Sequence, residues 1–313
     1  MKKLNTKAAT AVKKTIVNII RYFFLISLSY IVLYQIAFML SQAFKPEPQL
    51  YDPSVVWLPK TFTLDNIKLA WETLDYIKSF ANTLLIPVGS GLVQVLTCSL
   101  CAYGLARFRF RGSKLLFALV LLTILVPPQM IIIPMYLNYY HLDFLGILGL
   151  LGRLLGVELR PNVLDTSLTF YLPALFGVGL RSGLFIFIYR QFFLKMPQEL
   201  EEAAWIDGAG PLRTFLSVII PSSGVVMLTV TIFSVIWHYN DYFLSAMYLT
   251  EQTTLAVALE GIASQSATQG VAADYERLLK MSGSLLFIIP VLVMYMILQK
   301  RFIQNIDRVG IVG

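Results

Sequence analysis

Few side chains in this sequence are equipped to make or break bonds. Cys98 and Cys101 are spaced C-x-x-C. Positions three apart share a helix face, so two thiolates there would suit a metal or redox site. Both sit inside a charge-free apolar run with no second ligand pair, which favours ordinary packing. The chain has 2 Cys and 2 His in all, too few for a zinc ribbon or a disulfide framework. His141 and His238 lack the carboxylate–histidine spacing of zinc enzymes. Gly112-Ser113-Lys114 lacks the upstream glycine and preceding strand of a phosphate-binding loop. No catalytic residue, metal or cofactor is expected on this chain. If the protein moves a solute, another subunit or an ion gradient must drive it.

What remains is recognition chemistry, in three places. Arg181 interrupts an apolar stretch, and a central Arg costs a membrane helix about 2.5–3.5 kcal/mol. It is a donor into a polar path, a structural partner of a carbonyl or of Asp241, or the mark of a helix that starts later than the apolar stretch. Trp237, His238, Asn240 and Asp241 cluster near the end of another apolar stretch. They make either a binding patch or an aromatic belt with a polar cap. Finally, Glu199, Glu201, Glu202 and Asp207 crowd one short polar segment.

The elements that carry these residues are membrane helices. The chain is 57% hydrophobic and only 14% charged, against about 25% charged in soluble domains. Its mean hydropathy is +0.70. A crossing helix needs about 20 apolar residues. Stretches of that kind predict six spans, at 22–44, 79–106, 115–138, 167–193, 214–242 and 280–299. Nothing shows the ten-residue alternation of a barrel. The expected fold class is an all-α integral membrane protein.

Charge sets the expected orientation. Lys2, Lys3, Lys7, Lys13, Lys14 and Arg21 precede the first span. Arg107, Arg109, Arg111 and Lys114 follow the second, Lys195 and Arg213 follow the fourth, and Lys300, Arg301 and Arg308 end the chain. Basic loops face the cytoplasm, so both termini are placed there. The net charge of +7 is a topology signal and does not point to nucleic acid. The apolar run at 22–44 is too long for a signal-peptide core and is expected to be retained.

Three external segments are expected, at 45–78, 143–165 and 250–279. A short helix should open at Thr63-Leu64-Asp65, and the Gly- and Leu-rich stretch 145–157 suits an interfacial helix or a re-entrant turn. The one sizeable internal link is 194–213. Pro197 suits a first helical turn, Glu199, Glu201 and Glu202 complement the positive end of the dipole, and Gly208 with Pro211 ends the helix. Leu200, Ala203, Ala204 and Asp207 share one face of it. Pro87, Gly89 and Gly91, and Pro127-Pro128, predict kinks in spans two and three.

Glu202-Ala203-Ala204, then Gly208, then Val218-Ile219-Ile220-Pro221 resembles the EAA loop of bacterial ABC-importer permeases. Ser79-Phe80-Ala81-Asn82-Thr83-Leu84, Ala102-Tyr103-Gly104-Leu105-Ala106-Arg107, Val126-Pro127-Pro128-Gln129 and Ile133-Pro134-Met135-Tyr136 are similar to the same family's spans two and three. Trp237 with Asn240-Asp241 is similar to its W-N-D pattern, with His238 and Tyr239 inserted, and the tail Gly310-Ile311-Val312-Gly313 is similar too. The resemblance is to the maltose-type, carbohydrate-uptake branch. One departure is an insertion at 147–164, whose role the family does not supply.

The resemblance implies a type I importer fold. It implies a second permease subunit, two ATPase subunits that hold ATP and Mg, and an extracytoplasmic solute-binding protein. Leu200, Glu202, Ala203, Ala204, Asp207 and Gly208 would grip the ATPase. Asn82, Arg181, Trp237, His238, Asn240 and Asp241 would serve a path for a sugar or oligosaccharide. A permease for another solute, and an ion-coupled secondary transporter, are the alternatives. The second leaves the loop unexplained and predicts intramembrane acids that the spans nearly lack.

Overall fold

The computed structural model describes residues 2–49, 52, 54–55, 58–143, 146–268 and 273–310. Leu145 and the tail residues Ile311, Val312 and Gly313 lie outside them. Among the described residues there are helices and connections and no strand. In chain order the helices are α1 Lys2–Ala43, α2 Asp65–Thr73, α3 Tyr76–Thr83, α4 Gly89–Arg107, α5 Ser113–Leu125 and α6 Pro128–Tyr140. Next come α7 Ile147–Leu155, α8 Leu168–Leu175, α9 Ser182–Lys195, α10 Glu199–Ile206 and α11 Pro211–Thr214. The last are α12 Ile220–Ser222, α13 Gly224–Tyr239, α14 Phe243–Tyr248, α15 Leu255–Thr268 and α16 Ala273–Gly310. Single π turns, Leu84–Val88 and Phe215–Ile219, join α3 to α4 and α11 to α12.

The chain forms two compact units, one of residues 1–73 with 262–288 and one of residues 74–261 with 289–313. In the first, Met39, Ala43 and Leu285 make a small core flanked by Phe44, Ile67 and Met281. The expected short helix is present as α2. Its buried Asn66 donates to the carbonyl of Lys45 at 2.7 Å, and the Lys45 amine donates to the carbonyl of Val55 at 2.9 Å. Burial, with Arg277 nearby, holds that amine below its usual range.

The larger unit is built around α4, which packs along α9, α8 and α13. Small and polar residues on α4 allow the close approach. A Cβ on Gly91 would stand 2.7 Å from both His238 Nδ1 and Ser234 Oγ. The main apolar core runs through Val95, Cys98, Ala102, Phe185, Tyr189, Phe193, Ile219 and Val230. By contrast α5 buries no residue, and its leucines are free to meet lipid or another subunit.

Among the described residues three helices are long and apolar enough to cross a membrane: Lys14–Ala43, Tyr76–Arg107 and Tyr275–Gln299. Pro87 is absorbed by a π turn within the second, so the expected kink there is a bulge in a continuous helix. Two other expected spans depart from single rods. Ser113–Leu125 and Pro128–Tyr140 meet at 102°, and Pro211–Ser222 and Gly224–Tyr239 meet at 83°. Pro127 and Pro128 cause the first bend, since proline cannot continue the helix before it. Span four is divided as well, into α8 and α9. The stretch 250–279, expected to be partly polar loop, holds the 14-residue helix α15.

The insertion folds as α7, fastened by one carboxylate. Asp143 accepts the amides of Leu148 at 3.0 Å and Gly149 at 3.1 Å and pairs with Arg160 at 3.0 Å. Leu150, Leu151, Leu154 and Leu155 remain exposed. Asp165, at φ 59°, clasps the segment after α14, accepting from the Glu251 amide at 2.8 Å and from the Thr250 hydroxyl.

Candidate functional site

The break between α8 and α9 creates the most site-like cavity. Pro173 lies near the end of α8, and Gly177 takes φ 65°, so the helix cannot run on. Arg181 follows at φ 62° and starts α9. That conformation costs a non-glycine residue about 1–2 kcal/mol. Of the three readings of Arg181, the later helix start describes its position: it stands at a left-handed junction between two helices. The break opens a cavity of about 380 Å³ lined by Gln94, Thr123, Tyr139, Arg181, Ser182, His238 and Tyr248, among others.

Backbone groups freed at the break find partners on α4. Gln94 donates from Nε2 to the Leu180 carbonyl at 2.8 Å and to Ser182 Oγ at 2.5 Å. Thr97 donates to the Ala174 carbonyl at 2.7 Å. Neither residue was singled out from the sequence. Their signal was there: Ser90, Gln94 and Thr97 recur at helical spacing in an apolar span, and such a stripe must find partners away from lipid.

Among the described residues no hydrogen bond or ion pair joins Arg181 to a carbonyl or to Asp241. Its guanidinium carbon lies 5.6 Å from the centroid of the Trp237 ring, a cation–π contact. Trp237 is in turn stacked between Phe185 at 5.7 Å and Phe233 at 5.6 Å. His238 is buried, with Nδ1 2.8 Å from the Ser234 carbonyl. A carbonyl only accepts, so Nδ1 carries the proton and Nε2 is the acceptor.

Of the expected path residues Arg181 and His238 line this cavity, whereas Trp237, Asn240, Asp241 and Asn82 do not; the last three have structural partners. The Asp241 carboxylate caps α14 through the Ser245 amide at 2.9 Å. Asn240 donates to the Ile236 carbonyl of its own helix at 2.7 Å. Asn82 donates to the Thr253 carbonyl at 3.1 Å. Residues adjacent in sequence at a helix end point in different directions, and here capping claims the last two.

The second site is α10. It starts at Glu199, two residues beyond Pro197, with no side-chain cap. Its end is well specified. Gly208 takes φ 79°, its amide reaches the Trp205 carbonyl at 3.0 Å, and the Ala209 amide reaches the Ala204 carbonyl at 2.9 Å. That double bond pattern is a Schellman motif. Leu200, Glu202, Ala203 and Asp207 are exposed and Ala204 is half-buried. Trp205 and Ile206, which the sequence did not single out, are exposed too, Ile206 to 86%. Glu201 alone among the α10 residues is buried. It pairs with Arg107 at 2.7 Å. Burial pushes its carboxyl above the usual range, with Arg107 pulling against it.

Comparison with known proteins agrees with this architecture. Residues 95–308 match the family described as binding-protein-dependent transport system inner membrane component. The chain is 28% identical, over 91% of its length and 85% of the relative's, to the diacetylchitobiose uptake system permease protein of Streptomyces coelicolor. It is 28% identical to the maltodextrin transport system permease protein of Bacillus subtilis, over 95% of this chain and 96% of that one. Among solved structures, a bacterial ABC transporter involved in import of the acidic polysaccharide alginate shares the fold. Its TM-score is 0.70 at 23% identity, over 92% of this chain and 96% of that chain. The match extends over most of the α4-centred unit, all of α10 and the cavity lining apart from Ser90 and Gln94, and on that ground this protein belongs to the family of binding-protein-dependent transport system inner membrane components.

Proposed function

We propose that the chain is the permease subunit of an ATP-driven importer of sugars or oligosaccharides. It contributes half of the translocation path and has six spans, with both termini and the loop 194–213 in the cytoplasm. The observation that carries this reading is α10. It is a short helix with a fixed end that shows Leu200, Ala203, Trp205 and Ile206 to solvent. Exposed apolar residues of this size on a polar link call for a partner. On this reading the partner is a separate ATPase, which holds the ATP and Mg. Glu202 and Asp207 rim the surface and set partner and register through charge. A second permease and an external solute-binding protein complete the assembly.

The sugar class rests on the relatives' named cargoes and on the cavity. Hydroxyl-rich rings suit its mixture of Tyr139, Tyr248 and Phe170 faces, Arg181, His238 and the Gln94 amide. Arg181, with no acid beside it among the described ion pairs, specifically favours a glycan bearing a carboxylate.

The test is co-purification of the chain with its ATPase, followed by uptake into proteoliposomes. Radiolabelled maltotriose, diacetylchitobiose and an oligo-uronate are supplied with the binding protein. Glu202→Lys and Gly208→Asp are expected to leave insertion intact and to lower uptake at least tenfold. Normal uptake by both would defeat the proposal. Preference for the oligo-uronate that disappears in Arg181→Gln would establish the acidic cargo.

A further inference from the structure

The inward side of α10 is as specific as its outward side. Arg107 is the last residue of α4, and its Nε stands 2.7 Å from Glu201 Oε1. The two side chains are 5% and 4% exposed. Arg107 also donates from Nη2 to the Met196 carbonyl at 2.7 Å, just past the end of α9. Arg190 of α9 answers in the other direction and donates to the Leu105 carbonyl of α4 at 3.2 Å. Its guanidinium lies 3.9 Å over the Phe117 ring of α5. Two arginines therefore cross the same junction in opposite senses, and only one of them reaches α10.

We propose that Arg107 and Glu201 form a strut through which movement of α10 is delivered to α4, in addition to the chain connections to α9 and α11. This rests on the reading of α10 as the ATPase-gripped helix. Both residues are positioning residues; neither touches ATP or solute.

The pair is poorly explained as a stabilising feature alone. A buried ion pair commonly contributes no more stability than an apolar pair of the same size, but removing one partner strands the other charge. What such a pair specifies is register. α10 is 8 residues long and Glu201 is its one buried side chain, so the strut ties it to α4 while its backbone packs on the Phe215–Ile219 turn and α11. Any displacement that parted the two charges would leave both desolvated and unpaired. The favourable course is for the end of α4 to travel with α10. Because α4 also carries Gln94 and Gly91 against the cavity and His238, the motion reaches the candidate path directly.

The experiment uses the complete transporter with its ATPase and binding protein in proteoliposomes. It measures solute imported per ATP hydrolysed, with whichever of the three glycans the wild type takes up. Arg107→Gln and Glu201→Gln are each expected to lower that ratio at least tenfold. The exchanged pair, Arg107→Glu with Glu201→Arg, is expected to restore it to within about threefold, a rescue that general loss of packing would not produce. Wild-type ratios in both single variants, or no rescue by the exchange, would overturn the strut.

A second measurement guards against variants that fail to fold. Cysteines are placed at 107 and 201, with Cys98 and Cys101 replaced by serine, and joined by a short bismaleimide. Import that survives the link supports a pair that never parts; import abolished by the link overturns it. If the wild-type chain failed to co-purify with an ATPase, the underlying reading of α10 would fall. If it co-purified and imported while the variants behaved normally, the strut alone would fall.

Discussion

Gly91 and Gly104 lie on the same helix and have opposite surroundings. A Cβ at Gly91 would press on His238 and Ser234 at 2.7 Å, and one at Gly104 would meet nothing within 4 Å. Gly91→Val should therefore destabilise the α4–α13 contact by about 1–3 kcal/mol, the usual range for overpacking. Gly104→Ala should stabilise α4 by about 0.5–1 kcal/mol, since alanine loses less backbone entropy in a helix. Thermal unfolding of the detergent-purified protein checks both: the first should melt several degrees lower, and the second no lower than wild type. The same contrast explains why His238 tolerates burial. Its ring proton is taken by a carbonyl of its own helix, and the space around it exists because residue 91 has no side chain.

At the scale of elements, single polar side chains decide whether short helices persist. α7 has 9 residues, fewer than an isolated helix needs to be stable in water. Asp143 holds its first turn through two amides and Arg160. Asp143→Ala should raise hydrogen exchange of the Leu148 and Gly149 amides about tenfold, in line with the loss of about 1–2 kcal/mol on removing a cap. Asp143→Asn, which keeps an acceptor, should stay closer to wild type. Equal exchange in both variants would show that α7 is held by its leucines instead. α10 follows the same logic with its anchors reversed, an Arg107 pair on the inner side and a left-handed glycine at its end.

For the whole molecule, the distribution of exposed apolar surface separates sides that meet other material from sides that do not. The leucines of α5 and the apolar residues of α1 between Ile16 and Leu33 are bare, while the neighbours of α9 on α4 are covered. Cys98 and Cys101 sample both situations, one fully buried and one exposed. An apolar maleimide should label Cys101 in the intact protein and reach Cys98 only after denaturation. Oxidant should produce no bond between them. Labelling of Cys98 at the rate of Cys101 would contradict the α4–α9 packing described here.

The helical class, the membrane location and the long apolar helices Lys14–Ala43, Tyr76–Arg107 and Tyr275–Gln299 followed from composition and the length of apolar stretches, because lipid leaves the backbone few alternatives. Gly208 as the end of α10 was legible for a similar local reason: a left-handed position after a helix selects glycine. The broken spans were only partly legible. Prolines mark where a helix weakens, but the 102° and 83° bends depend on what packs on each half. The residues that line the cavity were least legible. Asn240 and Asp241 looked as chemical as His238, and Gln94 looked like a stray amide. Which polar groups line the cavity and which cap a helix was decided by α4, α9 and α13 meeting across more than a hundred residues of chain. The Glu201–Arg107 pair has the same origin: two charges widely separated in sequence were brought together by the packing of α4 on α9, and nothing local to either residue announces it.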